Sequence, residues 1–112
     1  MKSDVQATVF QDALPAHKLL VSAVVLLDHG DTVELQRGAA IKDVNGVAVG
    51  VVAAVVMDCR TREVTHVLLG KVPPTAVYRL IPLSLIQSMI EGSLWLGIDT
   101  PVVSKLPCYK PA

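Results

Sequence analysis

The side chains that could do chemistry are few and scattered. Asp28, His29 and Asp31 gather oxygen and nitrogen donors in one short turn, as a metal ion would require. No fourth donor stands at a recognisable spacing, and Asp-rich turns use the same carboxylates to hold nearby backbone N–H groups. His66 lies among apolar residues, where an imidazole could accept a proton or hold a ligand. The same position suits a histidine hydrogen-bonded within a barrel or at its edge. Ser84 lacks the Gly-x-Ser-x-Gly setting of an activated nucleophile, and no His/Asp pair is assignable to it. It reads as a cap or turn residue. Cys59 and Cys108 have no Cys-x-x-Cys spacing for zinc or redox work, and their state as thiols or a disulfide stays open. No glycine-rich phosphate loop is present. Asp58, Arg60 and Arg62 read as a turn residue with two solvated charges. Arg37, Lys42, Arg60, Arg62, Lys71 and Arg79 are spread along the chain with only Tyr78 and Trp95 near them. Single-strand binders interleave basic and aromatic residues more densely, so nucleic acid is not an expected partner. No catalytic residue, metal site or cofactor site is assigned, and the chain is not expected to be an enzyme.

The elements that would position these residues are mostly apolar. Hydrophobic residues make up 52% of the chain but aromatics only 4%, and the mean hydropathy is +0.53. The apolar share is chiefly Val, Leu, Ile and Ala, a mixture whose β-branched part favours strands. A chain of 112 residues builds one core. So much apolar sequence in so small a domain implies that part of it lies at a subunit interface. Ten basic and ten acidic residues give zero formal net charge, which also speaks against nucleic acid. The apolar run Leu19 to Leu27 is too short for the roughly twenty residues of a spanning helix, and no signal peptide is evident. Membrane insertion is not expected, and the expected location is cytoplasmic.

Residues 18–27 read as a strand, Asp28 to Asp31 as a turn, and residues 32–36 as the returning strand of a first hairpin. Residues 39–44 read as a short strand. Asn45-Gly46 follows, the dipeptide favoured where both centres of a type I′ turn need positive φ. Val47 to Met57 reads as one long strand with a bend or bulge at Gly50, apolar on both faces. Asp58 to Arg62 is a turn, residues 63–70 a strand, and the segment around Pro73-Pro74 a loop. Residues 77–81 form a strand ended by Pro82. Ser84-x-x-Gln87 has the form of a capping box for a helical turn through Ile90. Residues 93–98 are a last strand, and Thr100-Pro101 opens one more helical turn. Short strands and tight turns in this order predict an all-β fold, a small, mostly antiparallel barrel or strongly curved sheet.

The order of these pieces resembles the PRC-barrel family, named for a domain of the photosynthetic reaction-centre H subunit and found also in the ribosome-maturation factor RimM. The resemblance rests on Asp43-x-Asn45-Gly46, Val49-Gly50-x-Val52 and the valine run to Asp58. It continues through residues 63–68 (EVTHVL), 81–86 (IPLSLI), Leu94-Trp95-Leu96 and Leu106-Pro107, the last two like the tail of stand-alone bacterial members. The turn Cys59-Arg60-Thr61-Arg62 lacks the glycine that often follows the threonine. The resemblance covers residues 36–108 as the barrel; residues 1–35, read as an extension with a hairpin, have no counterpart in the family pattern, and residues 109–112 are a tail. It implies no shared catalytic centre.

The expected function is that of a non-enzymatic protein-interaction or assembly module that self-associates as a homodimer or larger oligomer, with a further protein partner. The expected contact residues are Val49, Val51 and Val55 on the long strand and Leu20 and Val24 on the first. Asn45, Gly46, Gly50, Asp58 and Pro82 are expected to shape turns and corners. Two other readings stand beside this one. The first is an RNA- or ribosome-associated adaptor, as the RimM resemblance implies. The second is a small-molecule or metal sensor using the surroundings of His29 or His66.

Overall fold

Alternating apolar and polar residues, and valine where both faces are apolar, set the elements. The computed structural model describes residues 14–73, 75 and 77–109. Residues 1–13 of the expected extension and 110–112 of the expected tail lie outside the described residues. The described strands are β1 (His17–Leu20), β2 (Ser22–Leu26), β3 (Thr32–Gln36), β4 (Ala40–Lys42) and β5 (Ala48–Asp58). They continue with β6 (Val64–Gly70), β7 (Arg79–Pro82), β8 (Ile86–Ile90) and β9 (Ser93–Leu96). A 3-10 turn, Leu83–Leu85, joins β7 to β8. A single-turn helix, α1 (Thr100–Val103), follows β9 at the expected place, with Asp99 as its N-cap. The class is all-β.

Hydrogen-bonded neighbours run in the order β7-β6-β5-β4-β9-β8. β5 is the spine. It pairs along one edge with β6, and along the other with β4 near its start and β1 near its end. Among the described residues this path does not close into a hydrogen-bonded barrel, and β4 pairs with β9 in parallel (Ile41↔Leu94), a departure from the antiparallel barrel expected. The β2–β3 hairpin forms a separate ribbon. It lies over the open side and sends Val25, Leu27 and Leu35 into the same core as Ile41, Val55, Ile81 and Leu94. The His29 ring secures its tip, donating from Nε2 to the Gln87 carbonyl at 2.7 Å.

Three expectations change in the structure. The run from Lys18 to Leu27 is two strands, broken at Val21. β1 follows β5 only as far as Val55, because the next stretch of that edge bonds to Gly38 and Ala39. The chain must leave, and β2 turns to β3. Second, residues 86–90 form a strand, with no side-chain cap on the turn before it. Glu91 (φ 51°) and Gly92 (φ 79°) make a two-residue hairpin that returns the chain as β9. Third, Asn45-Gly46 does mark a hairpin, but not as a type I′ pair. Val44 and Asn45 are the central residues of a turn closed by Gly46 N–H to the Asp43 carbonyl (3.0 Å), and Gly46 follows with φ 83°. That is the longer hairpin connection ending in a left-handed bulge residue.

The bulge expected at Gly50 is present. Ile41 faces Gly50 while Lys42 faces Ala48, which leaves Val49 as the extra residue. A side chain at 50 would drive into the Gly70 carbonyl, so close approach of β6 demands glycine here.

Candidate interaction surface

Most of the polar side chains singled out in the sequence hold the fold together. The Asp43 carboxylate is buried at the start of its turn. The N–H groups of Asn45 and Val47 both donate to its Oδ1 at 2.9 Å, while the Thr100 N–H (3.1 Å) and hydroxyl (2.6 Å) donate to its Oδ2. It therefore ties the β4–β5 turn to α1. The Thr100 hydroxyl first, and the three backbone donors with it, hold its pKa below the ordinary carboxylate value against the opposing effect of burial. Asp58 does similar work in the next turn. The Arg60 N–H donates to its Oδ1 at 2.7 Å, and the Arg60 guanidinium lies 3.3 Å from Oδ2. Its pKa is lowered too, chiefly by that backbone bond. Pro82 ends β7 and starts the 3-10 turn, as a corner residue.

The histidines and cysteines do not converge. His29 touches β8, and its Nδ1 lies 3.3 Å from Asp31 Oδ2. His66 is half-buried with Nδ1 2.8 Å from Thr65 Oγ1, and burial lowers its pKa. Cys59 and Cys108 are free thiols. Among the described residues, no three His, Cys, Asp or Glu side chains come together to hold a metal. The basic residues disperse as well: Arg60 is paired to Asp58, Lys42 sits 5.6 Å from the centre of the Trp95 ring, and Arg79 donates to the Leu106 carbonyl. No helix among the described residues is long and apolar enough to cross a membrane.

What the surface does offer is an apolar strand. On β2 the outward side chains alternate with the core residue Val25, and Val24 and Leu26 are each 68% exposed. Val21, just before the strand, is 64% exposed. Among the described residues β2 pairs only with β3, which leaves its other edge a row of N–H and C=O groups with no strand partner there. A groove of about 420 Å³ lies between residues 24–26 and Arg62, Glu63, Val64 and Leu83. Across the ribbon, Val24 faces Glu34 and Leu26 faces Thr32, so the apolar stripe has a polar border.

Of the five residues expected on a contact face, Val24 alone is strongly exposed. Val49 and Val55 point into the core at 6% and 0% exposure and offer nothing to a partner. Leu20 is half-buried against that core. Val51 is half-buried on the outer face of β5. That outer face is itself partly covered. Ala54, Val56, Leu68 and Leu80 form a second small cluster beneath Leu14, Tyr78 and Tyr109. The residues missed in the sequence are Val21, at the break between β1 and β2, and Leu26, whose alternation with Val25 was the available signal. No protein-family model and no curated protein matches the chain.

Proposed function

We propose that the protein is a non-enzymatic interaction module of the PRC-barrel type that self-associates through β2. The observation that carries this is a strand edge with no partner among the described residues, together with two side chains on that strand left 68% exposed. Monomeric proteins blunt such edges with charge, proline or a bulge. β2, Ser22 to Leu26, contains none of these. Two copies meeting edge to edge in antiparallel fashion would join their ribbons about a two-fold axis, each giving the other Val24 and Leu26. The barrel reading rests on the order of the turn and strand motifs within an all-β fold. The scattered basic residues and absence of a convergent acid–base group among those described favour a binding module over the adaptor and enzyme readings.

Sedimentation over a concentration range up to several hundred micromolar tests this. Wild-type protein should show a dimer, and Val24→Lys, which leaves the core side of β2 intact, should be monomeric with an unchanged fold. A monomer at every concentration sinks the proposal, as does a dimer that Val24→Lys leaves untouched.

A further inference from the structure

The outer face of β5 and β6 carries a second concavity, remote in chemistry from the β2 stripe. A bulge in the pairing of β5 with β6 sets Ala53 beside Ala54 on this face. On β6, Gly70 adds no side chain, and a Cβ there would stand 3.2 Å from the Tyr78 ring and 3.3 Å from Ala53. These small residues lower the floor, and Val51 and Leu68 make the rest of it apolar. Tyr78 and Tyr109, the chain's two tyrosines, form an aromatic wall. Tyr109 is fixed in place: His17 donates from Nδ1 to the Pro15 carbonyl (2.9 Å), so in the neutral ring Nε2 accepts from the Tyr109 hydroxyl (2.8 Å). The backbone N–H of Tyr109 also donates to the Tyr78 carbonyl at 2.7 Å, which locks the two wall residues together. The groove holds about 370 Å³, within the range of small-ligand sites.

Its rim has one sign of charge. Arg37 and Lys71 both line the groove and are exposed, Lys71 also donating to the Val49 carbonyl at 3.4 Å, and among the described residues no Asp or Glu lines it. In a chain of zero net charge, that is a local asymmetry that favours an anion. Arginine in particular matches a planar carboxylate with two parallel hydrogen bonds.

We propose that this groove binds a small amphipathic carboxylate, aromatic or medium-chain aliphatic. The apolar body lies on Val51, Ala53 and Leu68 against the tyrosine wall, and the carboxylate meets Arg37 or Lys71. The site stands independently of self-association through β2.

Amide NMR titration of the full chain with naphthalene-2-carboxylate and octanoate tests it, with naphthalene-2-methanol and octanol as uncharged controls. Saturable shifts are expected at Gly38, Gly70, Lys71 and Tyr109, with Val24 and Leu26 unmoved. The acids should bind about fivefold or more tighter than the alcohols, because a partly desolvated charge pair adds to the apolar contact. Ala53→Leu fills the floor and should weaken binding by about tenfold or more. Arg37→Gln with Lys71→Gln should abolish the preference for acid over alcohol while the apolar body still binds. These two positions are exposed, so that variant decides the matter if Ala53→Leu loses its fold. The proposal is overturned by the absence of saturation at millimolar ligand, by equal affinity for acid and alcohol in the wild type, or by unchanged binding in a folded Ala53→Leu. Nuclear Overhauser contacts from residues 1–13 to the Tyr78 and Tyr109 rings would overturn it as well, by showing the groove filled by the chain itself.

Discussion

Asp43 shows how a single carboxylate can organise two segments far apart in the chain: four donors converge on it, two from its own turn and two from Thr100. Such bonds make its ionisation part of stability. Asp43 and Asp58 have folded pKa values below those of the unfolded chain. As pH falls the unfolded chain takes protons first, so the stability they contribute is complete above about pH 4 and is lost as pH drops through the lower folded values. His66 acts in the same direction in a higher window. Burial depresses its folded pKa, so stability falls as pH drops through about 6.5 and levels off below the folded value. The urea midpoint is therefore expected to drop between about pH 7.5 and pH 5.5, with His66→Gln flattening that step. A further fall below about pH 4 should be flatter in Asp43→Asn, which starts from a lower midpoint. Backbone strain yields a second prediction. Arg62 sits at φ 61°, where an L side chain crowds its own carbonyl, and the family resemblance places a glycine at this point of the turn. Arg62→Gly should stabilise the protein by about 1 kcal/mol, read as a rise of several degrees in Tm.

At the scale of elements, the β2–β3 ribbon is part of the core and not an appendage. Leu35, fully buried, is its deepest side chain, and Leu35→Ala should cost about 2–5 kcal/mol in denaturant unfolding. A cost near zero would mean that the ribbon does not close the open side. The strand frame was legible in the sequence because valine, Asn-Gly and proline marked it: β3, β5, β6 and β9 fall close to their expected places. β8 was not legible. Leu83, Ile86 and Ile90 satisfy a helical stripe as readily as part of a strand, and the deciding turn places Glu91 at positive φ, where Asn, Asp or Gly would have announced a hairpin. The contact face was legible only in part. A strand that is apolar on both sides does not say which side is covered, so Val49 and Val55 read like Val24. The outer tyrosine groove was not legible at all. Its floor comes from β5 and β6, its wall from Tyr78 just before β7 and Tyr109 beyond α1, and its rim from Arg37 and Lys71, which only the topology brings together.

For the whole molecule, the proposed self-association through Val24 and Leu26 would be an apolar event between chains of no net charge. Its dissociation constant should stay level or tighten between about 50 and 500 mM NaCl, since screening acts on charges and not on buried apolar area. A marked weakening in salt would point to charged contacts instead. One pairing also governs how the molecule comes into being. β4 and β9 lie about half the chain apart, and their parallel ladder joins the β5–β6–β7 strands to the β8–β9 hairpin. Closing so long a loop costs entropy before any contact repays it. This ladder is therefore expected to assemble late and to come apart early. Ile41→Val and Leu94→Ala should accelerate unfolding in stopped-flow traces while leaving the refolding rate nearly unchanged. Equal effects on both rates would place the ladder in the nucleus instead. On that expectation the lifetime of the native state depends on a seam that contributes little to the speed of reaching it.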